Sequence, residues 1–109
     1  MNNDHLSEFS YVKRLKMNSD IFETINIVYN KFEALNELYY FLQGYIFSLE
    51  KIYDCSCDFN QKFTVMVKKE FEDNTDHNWQ NIILFHCPHE SLGIKRFLSL
   101  VEKFKTYNN

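Results

Sequence analysis

Glycine and proline are scarce in this chain, with 2 Gly and 1 Pro among 109 residues. An all-β sandwich or barrel draws on both for its many tight turns, so this supply speaks against one and for long helices. Cysteine is sparse and odd in number, at positions 55, 57 and 87, whereas a secreted disulfide scaffold usually shows an even set. No run approaches the ~18 apolar residues of a membrane span. Met1-Asn2-Asn3-Asp4-His5 offers neither the basic nor the apolar region of a signal peptide. A basic surplus is missing as well: 12 Lys and Arg against 15 Asp and Glu leave a net charge of −3, which argues against a primary nucleic-acid binder. There is no nucleophile elbow and no phosphate loop, and the two glycines lie 49 residues apart. The expectation is a reduced, soluble, cytoplasmic protein without a catalytic motif.

What the chain does have is apolar bulk. Hydrophobic residues make up 45% and aromatic residues 17%, including 11 Phe and 7 Tyr, enough for a real core in one domain. Residues 1–18 are mostly polar and read as a partly ordered N-terminal arm; residues 19–109 read as one helical domain. Asn18, Ser19 and Asp20 are N-cap candidates for a helix over roughly 20–31. Leu35, Leu38, Leu42, Tyr45, Leu49 and Ile52 recur at spacings of three and four, with Tyr39, Ile46 and Tyr53 beside them, which marks a central helix packed on more than one side. Gly44 inside it points to the close approach of a neighbouring helix, or else to a kink. Cys55-Ser56-Cys57-Asp58 reads as a corner, with Asp58 capping a helix whose Phe59, Phe63, Met66, Val67 and Phe71 share a face. Asn78 or Asp76 caps a short helix bearing Trp79, Ile82 and Ile83, and Pro88 suits the first turn of the last helix, with Ile94, Phe97, Val101 and Phe104 as its stripe. The fold expected is an all-α bundle of four or five helices. The alternative is α+β, with a short sheet from 25–29, 63–67 and 81–85, where β-branched residues cluster.

Three constellations carry possible chemistry. Cys55, Cys57, His86, Cys87 and His89 are soft ligands, but the first pair is separated by a single residue and the two groups by about 30, outside compact zinc-site spacing. Corner residues with one buried cysteine explain them more simply. His77, His86 and His89 lie close in sequence, yet nothing fixes a geometry for acid–base work, and no catalytic, metal or cofactor site is assigned. The third is acidic: Glu70, Glu72, Asp73 and Asp76 fall within seven residues at a helix end. Either this is a solvated terminus, with Lys68 and Lys69 offsetting carboxylates that sit badly at a C-terminal dipole, or it is a patch for a basic partner. Asp54 and Asp58 join that patch if the helix ends meet.

Leu38-Tyr39-Tyr40-Phe41-Leu42-Gln43-Gly44-Tyr45 resembles the aromatic, Leu, x, Gly, aromatic helix of small immunity proteins from bacterial contact-dependent inhibition and polymorphic toxin systems. In that pattern a Phe-led helix follows (here Phe63 to Phe71), then Trp79 with Ile82 and Ile83, then Phe97-Leu98-Ser99-Leu100-Val101-Glu102-Lys103-Phe104. The resemblance spans residues 34–104 and consists of core positions. It implies a non-enzymatic inhibitor that needs no cofactor and blocks one toxin domain, often a basic nuclease, with an aromatic anchor ringed by acidic residues. The competing expectations are a small regulatory or adaptor domain using the same acidic surface, and a metal- or histidine-dependent hydrolase.

Overall fold

The three- and four-residue spacing of Leu35, Leu38, Leu42, Ile46 and Leu49 becomes the buried side of the central helix of the protein. The computed structural model describes residues 3–87 and 89–107, the side chains of 3–8, 90 and 91 apart. It contains α1 (Asn3–Val28), a 3-10 turn (Tyr29–Lys31), α2 (Leu35–Tyr53), α3 (Phe59–Phe71), α4 (Trp79–His86) and α5 (Glu90–Tyr107). The fold is all-α. No strand occurs among the described residues: 25–29 belong to α1 and the 3-10 turn, 63–67 to α3 and 81–85 to α4. Burial decides the ambiguity. Phe63, Met66 and Val67 are inside while Val65 is half-exposed, and Ile82 and Ile83 are inside while Phe85 is out, which matches a helical period and not the alternation of a strand. The expected role of Pro88 lies outside the described residues.

The N-terminal arm differs from expectation. Residues 3–18 are helical and continuous with α1, because no Gly or Pro interrupts them and Met17 is fully buried. Asn18 and Asp20 therefore serve as interior tethers and not as caps: the Tyr53 hydroxyl donates to Asp20 Oδ2 at 2.7 Å, and Asn18 Nδ2 donates to Asp58 Oδ1 at 3.5 Å. Two further ties hold the arm to the corner between α2 and α3. Arg14 Nε donates to the Ser56 carbonyl at 3.1 Å, and the Cys55 thiol to the Ser10 carbonyl at 3.9 Å.

The core is aromatic. Phe63 meets Phe59, Trp79, Phe97 and Phe104 at centroid separations of 5.2, 5.3, 5.6 and 5.4 Å, and Phe22 of α1 reaches Phe59 and Phe104 at 6.1 and 6.0 Å. Such edge and offset pairs each contribute about 0.5–1.5 kcal/mol beyond the area they bury. Trp79 is buried with its Nε1 donating to Asn60 Oδ1 at 2.9 Å, and Asn60 Nδ2 donates in turn to Gln43 Oε1 at 2.7 Å. This relay ties α4 through α3 to α2 and satisfies the indole N–H, which burial would otherwise penalise.

The close approach expected at Gly44 falls at Gly93 instead. A Cβ on Gly44 would meet nothing within 4 Å, whereas one on Gly93 would lie 3.4 Å from Leu35 Cβ and 3.7 Å from Leu84 Cδ2. The close approach between helices is at Gly93, where α5 meets α2 and α4. Gly44 faces solvent in an unbroken α2, at a cost of about 1 kcal/mol relative to Ala.

Candidate functional site

The segment between α3 and α4 is a strap and not a simple corner. The chain leaves α3 at Glu72 in a left-handed conformation, φ 52°, with Asp73 N–H donating to the Lys68 carbonyl at 2.9 Å. It then runs back along α3, so that the Trp79 N–H donates to Thr64 Oγ1 at 3.2 Å. At the far end of α4, His86 stacks on Phe71 at 4.6 Å. α3 and α4 thus run in the same sense, joined by a strap over residues 72–78.

Asp73 pins the strap. Its Oδ1 accepts from the Thr75 N–H at 2.8 Å and from the Thr75 hydroxyl, and its Oδ2 lies 3.6 Å from His86 Nε2. The two hydrogen bonds from Thr75 first, and the nearby His86 ring after them, hold its carboxyl below the usual Asp range. Asn78 closes the other end as the cap of α4: its Oδ1 accepts from Asn81 N–H at 3.0 Å and its Nδ2 donates to Tyr39 Oη at 3.1 Å. Of the two capping candidates, Asn78 takes the role. Glu72 and Asp76 remain exposed on the fixed strap.

The six acidic residues do not form one patch. Asp54 and Asp58 sit before the start of α3, whereas Glu70 lies about 18 Å along the helix axis from Asp58 and Glu72 follows at the C-cap. They also differ in availability. Glu70 accepts from Lys103 Nζ at 2.7 Å and lies 3.6 Å from Arg96 Nη2; these two cations of α5, and not Lys68 and Lys69, offset its position at the helix terminus, and the Lys103 hydrogen bond lowers its pKa. Asp58 makes no side-chain cap to α3. Its Oδ2 pairs instead with Lys62 at 3.0 Å. Asp54 is exposed in the left-handed C-cap of α2, φ 51°. The carboxylates open to a partner are therefore Glu72 and Asp76 on the strap, with Asp54 at a separate corner.

The cysteines and histidines are dispersed. Glu50 Oε2 accepts from the Cys57 N–H at 2.7 Å, and burial pushes the Cys57 thiol up, away from the reactive thiolate. Among the described residues no group of three or more His, Cys, Asp or Glu is placed to hold a metal ion, and no helix is long and apolar enough to cross a membrane. A groove of ≈ 680 Å³ runs between α3 and α5 over Val65, Met66, Phe104 and Tyr107. Its lining also carries Lys62, Lys69 and Glu70, with Lys62 paired to Asp58.

Sequence reasoning missed the Gln43–Asn60–Trp79 relay and the Asp73–Thr75 tether. The first had a signal, since a buried Trp needs an acceptor; the second also had one, since Asp-x-Thr is an Asx-turn pattern. Compared with protein-family models, with curated proteins and with solved structures, the chain gives no match.

Proposed function

We propose that this all-α protein is a binding protein of the immunity type, acting in the bacterial cytoplasm to block a basic toxin domain of a contact-dependent or polymorphic toxin system. One observation supports this reading above others: Glu72 and Asp76 stand exposed on a strap already fixed at both ends by Asp73 and Asn78. A pre-ordered acidic loop loses little entropy on docking, and its carboxylates are free to meet the Lys and Arg of a phosphate-handling site. Asp73, Glu70 and Asp58 hold the scaffold, and the contact falls to their exposed neighbours.

The test is co-expression with a candidate toxin domain of the proposed class. Protection and co-purification are expected. Glu72→Lys with Asp76→Lys is expected to weaken the complex by about tenfold or more and to flatten its salt dependence, with helicity unchanged. Absence of both protection and co-purification sinks the reading, while an unchanged affinity of the double variant moves the interface elsewhere.

A further inference from the structure

The exposed face of α2 is built symmetrically about Gly44. Helical neighbours on one face recur at three, four and seven residues. Three residues either side of Gly44 stand Phe41 and Phe47, four either side Tyr40 and Ser48, and seven either side Glu37 and Lys51. All are exposed, Tyr40 at 69% and Phe47 at 58%. Gly44 at the centre has open space above it, although a glycine there weakens an uninterrupted helix and nothing inside the molecule requires it.

We propose that this face binds a second copy of the same chain, with the two α2 helices antiparallel and crossing at Gly44. A twofold axis through that point sets each residue before Gly44 against its mirror-image residue after Gly44 on the other copy. Phe41 then faces Phe47, the Tyr40 hydroxyl faces Ser48, and Glu37 faces Lys51, each pair occurring twice. The bare glycine lets the two backbones approach closely, as small residues do at helix crossings. A parallel pairing would set Glu37 against Glu37 and Lys51 against Lys51, so charge selects the antiparallel one. Both charged groups have capacity for the contact. Glu37 uses only Oε1 within its own chain, accepting from Glu33 and Ala34 N–H at 3.3 Å each. Lys51 rests over the Phe47 ring at 5.3 Å, with no carboxylate of the described residues in ion-pair range. The contact uses none of the strap's carboxylates and stands independently of the toxin reading.

Sedimentation velocity on the full chain, from about 1 μM to 1 mM, reads the outcome directly. A monomer–dimer equilibrium is expected in that range. Gly44→Arg, which fills the crossing point but points into open space in the monomer, is expected to abolish the dimer while circular dichroism stays helical. Lys51→Glu alone and Glu37→Lys alone are each expected to raise the dissociation constant about tenfold or more, because each homodimer then sets like charges together. Mixing these two variants is expected to restore the dimer as a heterodimer, since both pairs become opposite again, and this recovery also controls for folding. A wild-type chain that stays monomeric throughout overturns the proposal and leaves the face to a different protein. A dimer that survives Gly44→Arg, or a mixture that fails to recover, overturns it as well.

Discussion

Gly93 and Gly44 occupy helices for different reasons, and substitution separates them. At Gly93 any side chain beyond a methyl must displace Leu35 or Leu84, so Gly93→Leu is expected to destabilise by about 1–3 kcal/mol. At Gly44 a methyl meets nothing, so Gly44→Ala is expected to stabilise the monomer by up to about 1 kcal/mol. Urea unfolding at low protein concentration measures both, and a loss of stability for Gly44→Ala would contradict the open face. Sequence spacing identified α2 as central but assigned the helix contact to the wrong glycine. Periodicity reports how much of a helix surface is apolar; it does not report where along that surface a neighbour crosses. The acidic residues show the same limit. Their type suggested a patch, while their availability depends on Lys103, Lys62 and Thr75, partners that only the folded chain brings beside them.

At the scale of elements, α4 is the one that depends most on its surroundings. Its eight residues are too few to persist alone, so it forms because Asn78 caps it and Trp79 anchors it. Asn78→Ala is expected to cost about 1 kcal/mol through the cap, with a further loss from the Tyr39 contact, read by denaturant midpoint. The strap adds a pH dependence whose sign follows from Asp73. Its carboxyl lies lower in the folded protein than the ordinary value of about 3.9 that holds when unfolded. The stabilisation is therefore present above that ordinary value and is lost as pH falls through the lower, folded one. Wild type is expected to exceed Asp73→Asn in stability at about pH 5 and above, a margin that closes as pH falls below about 4. Glu70 titrates in the same direction, but it is common to both proteins and cancels in the comparison. The helices from α2 onward were legible because each carries its own period and breaks at polar corners. The course of the strap was not, because a seven-residue connection allows α4 to run with α3 or against it, and Thr64 and Asn60 decide which.

The whole molecule measures 51 × 30 × 23 Å with a radius of gyration of 14.6 Å, above the ~13 Å of a compact domain of this length. α1 accounts for the excess: its 26 residues extend about 39 Å, longer than the bundle it packs against. Among the described side chains of α1, Met17, Ile21 and Ile25 are buried in the core and Phe22 and Val28 pack against it, while Tyr11, Val12 and Leu15 are exposed at 63%, 55% and 47%. The half before Met17 is tied to the α2–α3 corner by Arg14 to Ser56, at the surface, and by Cys55 to Ser10, part-buried. Local opening should therefore separate from global unfolding within this single helix. Native-state hydrogen exchange is expected to show amides 9–16 opening at low free energy, and amides 21–28 opening together with α2, α3 and α5. Arg14→Ala is expected to speed exchange in the first group without moving the second. Equal protection along all of α1 would mean that its first half shares the cooperative core, whatever its exposure.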